Sequence, residues 1–411
     1  MLTRRNLLKR SSLLALAPTV PGFLARLARA AEAKPDDRVL VVIQLDGGND
    51  GVNTVVPYRD EGYAKHRNQL RLKQDQLHKL GDEAALHPAM KAMAELFDNG
   101  RLAIVQGVGY PNPNRSHDVS MAIWHTARFD RTEHKSYGWL GRALDQSPLP
   151  QGGPASLLVG DGALPIALVG RRSITGSFSR LDELKAPNDA ARIEVACEPT
   201  DDDLEGFIRR LTLETYATAD AVNAAVARQR AKSNYPASPL AEQLSTIARL
   251  IEADLPTRVY YAVQAGYDTH AVQLPTHGRL LSELSRALKA FLDDLSDSRL
   301  AERVLVMTFS EFGRRVAENA SAGADHGTAA PMFLAGGSVR SGLHGVAPRL
   351  LDLDQGDLKM SVDFRRVYAA ILRDWLALEP ATVLAGSFEP LPILAAVAGD
   401  RRKNAAETPR N

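Results

Sequence analysis

Five short segments carry carboxylate and imidazole side chains of the kind that bind divalent metal ions. In chain order, these acidic and histidine residues are Asp46, Asp268, His270, Glu311, Asp325, His326 and His344. Glycine lies within a few residues of every segment, as expected for turns that present side chains to a ligand. Carboxylate oxygens and imidazole nitrogens suit zinc, manganese or magnesium and need no thiolate partner. The sequence therefore predicts a divalent metal site.

The first three segments each follow an apolar run typical of a strand. Such runs, predicted as strands, cover residues 39–45, 102–108, 156–159, 258–264, 303–309 and 332–334. Helical spacing of apolar residues occurs between several of them, at 87–97, 119–127, 280–295 and 362–378. This alternation predicts a three-layer α/β fold, with helices on both faces of a mostly parallel sheet. Ligands of such sheets bind beyond the carboxyl ends of the strands, where these acids are expected.

A candidate nucleophile, Ser116, lies between the second predicted strand and the next predicted helix. Free backbone amides and the helix dipole at a helix N-terminus favour an anion, so the Ser116 hydroxyl could attack a phosphate or sulfate ester bound there. A plain N-cap role explains a serine at this position equally well. Arg115 and Arg314 are candidates for steadying the substrate anion, and Arg314 could instead pair with an acid. His117 either contributes to the site or only packs. His277 opens a Leu-rich helix and is predicted to lie at the surface.

Residues 1–33 have the features of an export signal. The segment TRRNLLK places two leucines and a lysine after paired arginines, as in twin-arginine signals, and cleavage is expected after Ala30 or Ala33. The apolar run that follows is shorter than the roughly 20 residues of a membrane anchor. We therefore expect the twin-arginine translocation machinery as a partner, a periplasmic or secreted location and no stable membrane anchor.

Charge and cysteine content limit the partners further. The chain has 50 basic and 49 acidic residues, and residues 1–33 contain six of the former and one of the latter. The mature chain is thus slightly acidic and keeps no basic run for nucleic acid phosphates, so nucleic acid is not an expected partner. Cys197 is the only cysteine, which excludes an intrachain disulfide. Stability must come from a large core.

One α/β domain is predicted for residues 34–399, because no long Pro-, Gly- or Ser-rich linker divides them. Residues 201–255 are Ala-rich and charged, and they are predicted to form a helical insertion that packs on the sheet or covers its edge. The polar segment 400–411 is expected to be a disordered tail.

Six motifs support a family resemblance: LDGGNDG, YPNPNRSH, GYDTH, SEFGRR, DHGTAAPMFLAGG and a late LHG. Through them, residues 38–378 resemble an uncharacterised family of exported bacterial proteins, which looks like a branch of the alkaline phosphatase and sulfatase superfamily. That resemblance implies an alkaline-phosphatase-like fold, two adjacent divalent metals and a nucleophile at a helix N-terminus after the second strand.

The resemblance also implies roles for particular residues. By position, Asp46 matches the superfamily's first-strand metal acid, and Ser116 matches its nucleophile. Asp268 and His270 correspond to its Asp/His ligand pair, with a shorter gap between the two than usual. The chain departs from the superfamily at SEFGRR, because the strand before it is not followed directly by an Asp-His doublet.

Two alternatives follow from that departure. Either Glu311 replaces the acid of the doublet and His326 is the final histidine, or the doublet has shifted to Asp325 and His326. The site would then hold one or two ions. Formylglycine chemistry is not expected, because the segment CEPTD at Cys197 lacks the arginine of the sulfatase signal.

The predicted function is metal-dependent hydrolysis of a phosphate or sulfate ester on a small molecule or polymer, outside the cytoplasm. The alternative is a catalytically degenerate member that binds a glycan, a polymer or a protein. Phe312 favours the alternative, because it stands where the superfamily has a metal-binding histidine.

Overall fold

A nine-stranded sheet is the central feature of the residues that the structure describes. The computed structural model describes residues 38–130, 137–148, 150, 153–179, 233–296 and 300–395. The strands of the sheet are β1 (Val39–Asp46), β2 (Leu102–Gly109), β3 (Ser156–Val159), β4 (Thr175–Phe178), β5 (Val259–Ala265), β6 (Val304–Phe309), β7 (Ala330–Ala335), β8 (Gly342–His344) and β9 (Val362–Asp363). β1, β2 and β6 are almost continuously buried, which explains their uninterrupted apolar sequences.

The strand order is β8-β2-β7-β6-β1-β5-β3-β4, and β9 also pairs with β2. All pairings are parallel except those of β7, which runs antiparallel to both β2 and β6. β1 lies between β5 and β6 and is parallel to both. The carboxyl ends of these three strands therefore meet at one edge of the sheet, and the prediction of a mostly parallel sheet is confirmed.

The described helices are α1 (Gly51–Thr54), α2 (Glu61–His66), α3 (Lys91–Asp98), α4 (His117–Thr126), α5 (Trp139–Asp145), α6 (Pro239–Glu252), α7 (Gln273–Ser296), α8 (Phe364–Ala370) and α9 (Pro380–Leu384). Short 3-10 turns cover Gln74–Gln76, Pro88–Met90, Ile166–Leu168 and Leu300–Arg303, and a π turn, Ile371–Trp375, continues α8. Two small antiparallel sheets lie outside the central sheet. In the first, Ala85–Leu86 pairs with both Val55–Val56 and His78–Lys79. In the second, Leu353–Asp354 pairs with Asp357–Leu358.

Helices cover both faces of the sheet. Alternate residues of β1 point to opposite faces, so Leu40 and Val42 belong to one core and Val41 and Ile43 to the other. The first core includes side chains of α4, α5 and α8, among them Trp124, Trp139 and Tyr368. The second includes side chains of α3, α6 and α7, among them Met93, Leu244 and Leu284. This confirms the predicted three-layer α/β architecture.

Three strands of the sheet were not predicted. β8 and β9 have three and two residues, and β4 has four, TGSF, with one buried side chain. Segments this short and polar have no apolar alternation of their own. They become strands because a neighbouring strand offers them backbone partners, as β2 does for both β8 and β9 and β3 does for β4.

Several predicted segments lie outside the described residues. These are the export signal at 1–33, Cys197, residues 201–232 of the predicted helical insertion and the tail at 400–411. Within the insertion, residues 239–252 form α6, whose Leu244 and Ile247 are buried on the sheet. The predicted domain boundaries stay a prediction. In the part of the chain that the structure describes, we find no helix with the length and apolar character to cross a membrane.

A buried ion pair ties the loop after β1 to α2 and its C-terminal cap. Arg67 and Asp50 have no exposed side-chain surface, and Nη1 of Arg67 lies 2.5 Å from Oδ2 of Asp50. Arg67 also donates to the backbone carbonyls of Val316 and Arg315. Burial by itself would raise the pKa of Asp50, but the charge and hydrogen bonds of Arg67 outweigh it and lower that pKa.

We expect Arg67→Met to lower the free energy of unfolding by about 3–5 kcal/mol, because it leaves the Asp50 carboxylate buried without its counter-charge. Urea unfolding followed by circular dichroism measures the change. The matched control is Arg59→Met, since Arg59 and its partner Asp82 are 61% and 88% exposed and such a pair contributes at most about 1 kcal/mol. Equal effects of the two substitutions would contradict the prediction.

Candidate metal centre

The ends of β1, β5 and β6 open into a cleft of about 360 Å³. Asp46 is the last residue of β1, and Asp268 and Glu311 lie in the turns just after β5 and β6. His117, the first residue of α4, lines the same cleft. The acids therefore meet beyond the carboxyl ends of parallel strands, which is where ligands bind in such sheets.

Three side chains in this region have their ligand atoms close together. One atom each of His117, Asp268 and His326 lies within 4.8 Å of the other two. Oδ1 of Asp268 is 3.7 Å from Nε2 of His117 and 3.2 Å from Nε2 of His326. The three side chains are 36%, 49% and 22% exposed, so water or a substrate can reach them. Two imidazole nitrogens and one carboxylate oxygen form a common donor set for zinc.

Hydrogen bonds on the far side of both rings direct their Nε2 atoms toward Asp268. Nδ1 of His117 donates to Oε1 of Glu311 over 2.7 Å. Nδ1 of His326 donates to the backbone carbonyl of Arg115 over 2.8 Å. These acceptors place the proton of each neutral ring on Nδ1, which leaves the Nε2 lone pairs facing the carboxylate. The residues present therefore fit a divalent cation.

The two acids nearest the centre have opposite pKa shifts. Burial, helped by the negative charge of Glu311, raises the pKa of Asp46. Burial also acts to raise the pKa of Asp268, but the hydrogen bond and positive charge of Arg314, together with the nearby His326 and His270 rings, outweigh it and lower that pKa to about 2. Asp268 is therefore ionised at neutral pH. A cation bound nearby would offset the repulsion that the Glu311 and Asp268 carboxylates exert on Asp46.

Glu311 is fully buried, and its carboxylate is bonded within the protein. Besides the bond from His117, Oε1 accepts the backbone N–H of Gly47 over 3.0 Å, and Oε2 accepts the hydroxyl of Ser310 over 3.0 Å. This arrangement places Glu311 behind His117, as the residue that orients its ring.

His270 and Asp325 lie beside the three converging residues. Nε2 of His270 is 3.0 Å from Oδ1 of Asp268 and 2.9 Å from Nε2 of His326. Nδ1 of His270 lies 3.3 Å from Oδ1 of Asp325, whose side chain is 58% exposed. Of the predicted doublet, His326 faces the centre, whereas the Asp325 carboxylate lies behind His270.

Arg314 lies beneath the centre and is completely buried. Its guanidinium donates to Oδ1 of Asp268 over 2.6 Å. It also donates to four backbone carbonyl oxygens, those of Gly47, Gly48, Tyr267 and Ala324. Arg314 therefore forms an ion pair with an acid, which was the alternative to its predicted role in binding the substrate. Its hydrogen-bond donors are directed to the protein rather than to a substrate anion.

Ser116 is the N-cap residue of α4, but its side chain makes no capping hydrogen bond. It is exposed. Its chain neighbours both contact the centre, Arg115 through its carbonyl and His117 through its ring, so the Ser116 backbone lies beside the centre. The Arg115 side chain, predicted to steady the substrate, is instead paired with the buried carboxylate of Asp357.

Two histidines do not lie where the sequence predicted. His344 is in edge strand β8, and three strands separate it from β1; at about 4.8 Å per strand this is roughly 19 Å, beyond coordination reach of Asp46. Its Nε2 bonds to the carbonyl of Arg340 instead. His277, predicted at the surface, is buried in α7 with Nε2 2.9 Å from Oδ1 of Asn49.

Buried histidines should make the protein less stable in mild acid. Burial lowers the pKa of His277 from 6.5 to about 4 and the pKa values of His87 and His125 to about 3. Below pH 6.5 the unfolded chain takes up protons that the folded protein does not, so each residue removes up to about 1.4 kcal/mol of stability per pH unit.

Urea unfolding of chelator-treated protein at pH 7 and pH 5 checks this expectation. The free energy of unfolding should be lower at pH 5, and His277→Gln should reduce the difference. Equal stability at the two pH values would contradict it.

His117 is the functional residue that the sequence left undecided. The available signal was its position, directly after Ser116 at the start of a predicted helix. Its contacts with Glu311 and Asp268 join residues about 150–200 positions apart in the chain, and no local pattern reports such contacts.

These features define an α/β protein with a candidate metal centre at the carboxyl edge of its sheet. The chain belongs to the family described as "Protein of unknown function (DUF1501)", which matches residues 37–375. The sequence has no significant match among curated proteins.

Several solved structures are similar to this chain at low identity. One is the lipoteichoic acid synthase LtaP from Listeria monocytogenes, with 10% identity, a TM-score of 0.37 and coverage of 79% of this chain and 74% of that chain. The PsFucS1 sulfatase from Pseudoalteromonas sp. has 10% identity, a TM-score of 0.39 and coverage of 90% and 76%. The C-terminal periplasmic domain of EcEptC from Escherichia coli, in complex with Zn, has 8% identity, a TM-score of 0.36 and coverage of 73% of each chain.

Proposed function

We propose that this protein is a metal-dependent hydrolase of a phosphate or sulfate ester, and that His117, Asp268 and His326 hold a divalent ion. The proposal depends chiefly on one observation. Two imidazole Nε2 atoms approach Oδ1 of Asp268, while the Nδ1 atoms of both rings are bonded to the protein. Zinc and manganese suit a donor set with two nitrogens better than magnesium does. The motif resemblance to the alkaline phosphatase and sulfatase superfamily favours the same class of reaction.

In this proposal, Ser116 is the nucleophile. Its hydroxyl has no capping bond and lies at the N-terminus of α4. Attack of its oxygen on phosphorus or sulfur would break the bond to the ester's alcohol, which would leave with a proton while the serine proton passes to water, and a water molecule would then release phosphate or sulfate from Ser116. The developing negative charge would lie beside free backbone amides and the positive end of the helix dipole. A bound divalent ion would polarise the ester oxygen. Glu311 would keep His117 correctly oriented through its Nδ1.

We also propose that the protein is exported through the twin-arginine machinery. The segment TRRNLLK and the small residues up to Ala33 support this route. That pathway carries folded proteins, so the metal would be bound before export. A substrate in the periplasm or outside the cell, either a small ester or an esterified polymer, is then expected.

Metal analysis of the exported protein, combined with an ester panel, tests the proposed function. The panel contains aryl phosphate, aryl phosphodiester and aryl sulfate substrates. We expect bound zinc or manganese and turnover of at least one ester class, lost on chelation and restored by the metal. Protein that binds neither ion and turns over none of the three esters would contradict the proposal.

Ligand binding without catalysis is a second candidate, favoured by a larger cleft beside Arg115. This cleft has a volume of about 700 Å³ and is lined by residues of segments 109–115 and 354–360. Its size and polar lining suit a saccharide or polymer segment. Thermal unfolding with added metal separates the two functions, because metal at 100 times its Kd would stabilise the hydrolase by about 2.7 kcal/mol, whereas a binding module would show little gain.

A further inference from the structure

Arg314 brings a permanent positive charge to the base of the candidate metal centre. A guanidinium keeps its proton at every pH at which proteins work. Nη2 of Arg314 lies 2.6 Å from Oδ1 of Asp268, and Nη1 lies 3.3 Å from Nε2 of His270. The same Oδ1 approaches the Nε2 atoms of His117 and His326. One carboxylate oxygen is therefore shared between a fixed cation and the candidate metal site.

The guanidinium is held firmly in this position. Its four carbonyl acceptors come from the loops after β1 and β5 and from residue 324. Gly47 and Gly48 have φ values of +116° and +79°, a conformation that glycine adopts readily and that turns their carbonyls toward Arg314. A Cβ atom at Gly48 would lie 2.4 Å from the ring of Phe312. These bonds connect the loop after β1 with the loop that carries Asp268.

A second divalent ion would compete directly with this guanidinium. The nearest further imidazole nitrogen is Nε2 of His270, which already contacts Arg314, Asp268 and Nε2 of His326. An ion bound to Asp268 and His270 would sit beside a buried positive charge that cannot be neutralised. Arg314 has no exposed side-chain surface, so water screens its charge less than it would screen that of an exposed cation.

We propose that the Arg314 guanidinium takes the place of a second divalent ion, so that the centre binds one divalent ion per chain. This inference rests on the proposed function, because it requires that His117, Asp268 and His326 bind metal. Arg314 is then a positioning residue. It compensates the charge of Asp268 and joins the loops of the centre without contacting substrate.

The experiment counts bound ions in four forms of the full mature protein. Wild-type, Arg314→Gln, Arg314→Lys and Arg315→Gln proteins are stripped with chelator and titrated with Zn²⁺ by calorimetry. Inductively coupled plasma mass spectrometry on the dialysed samples gives an independent count. Arg315→Gln is the matched control, because that neighbouring arginine is partly exposed and its Nε lies 3.8 Å from Asp357, away from Asp268.

We expect one ion per chain in the wild-type, Arg314→Lys and Arg315→Gln proteins and two in Arg314→Gln. Two ions in the wild-type protein would overturn the inference while leaving the proposed function intact. No bound ion in the wild-type protein would overturn the proposed function itself. A folded Arg314→Gln protein that still binds one ion would show that Arg314 only ties the loops together. If circular dichroism shows that Arg314→Gln does not fold, the number of ions bound per wild-type chain tests the inference, and a second ion there overturns it.

Discussion

Replacing Asp268 by Asn is expected to lower the affinity for Zn²⁺ by about 100-fold or more and turnover by about 1,000-fold. The substitution keeps the shape of the side chain and an oxygen that can accept from Arg314, but it removes the negative charge. The positive charge of Arg314 is then left uncompensated beside the two imidazoles. Calorimetric titration with Zn²⁺ and steady-state kinetics on the active ester measure the two effects.

Asp325→Asn is the matched control for Asp268→Asn. Its carboxylate is 58% exposed and contacts the far nitrogen of His270 rather than the converging atoms. We expect its Zn²⁺ affinity to change by less than about 10-fold. If Asp268→Asn bound Zn²⁺ as tightly as the wild-type protein, Asp268 would not be a ligand and the proposed centre would be wrong.

Replacing Ser116 by Ala is expected to lower turnover by about 1,000-fold or more while metal binding and stability stay unchanged. The physical reason is the position of the hydroxyl, which lies at the N-terminus of α4 without a capping bond. Its removal therefore takes away a nucleophile and little helix stability. Steady-state kinetics, metal analysis and the melting temperature are measured on the same preparation.

Ser238→Ala distinguishes a nucleophile from an ordinary helix cap. Ser238 is the N-cap of α6, and its hydroxyl accepts the backbone N–H of Ala241 over 3.3 Å. Losing that bond should cost about 1 kcal/mol of stability and leave turnover unchanged. A Ser116→Ala protein that behaved like Ser238→Ala, less stable and fully active, would assign Ser116 the plain capping role.

The contacts of Arg314 explain why two separate motifs of the sequence occur together. SEFGRR supplies the guanidinium, and LDGGND supplies the two glycine carbonyls that accept from it. Glu311 of SEFGRR accepts the N–H of Gly47 of LDGGND, so each of the two turns donates a hydrogen bond to the other. Each motif taken alone looks like a turn beside a strand, and their combination forms the base of the centre.

Much of the fold follows from local sequence. Long buried strands such as β1 and β6 need continuous apolar side chains, and amphipathic helices such as α7 need apolar residues every three or four positions. Both patterns are visible without a structure. The acids that follow β1, β5 and β6 could also be predicted to share one edge, because parallel strands bring their carboxyl ends together.

The composition of the centre depends on tertiary structure. His344 has the same glycine-rich surroundings as the other candidates, and only the strand order places three strands between it and β1. His117 and Arg314 were each compatible with two roles, and their roles follow from partners far away in the chain. His277 was expected at the surface because nothing local indicated that the loop after β1 would bury it.

By itself, the sequence determined the α/β class, the family, most strands and helices, and which kinds of side chain could bind metal. The tertiary structure decided which of those side chains meet, which only orient a neighbour and which lie elsewhere. The physical reason is the range of the interactions. Backbone preferences and apolar periodicity act over a few residues, whereas the distance between Asp268 and His326 depends on how the whole sheet is ordered.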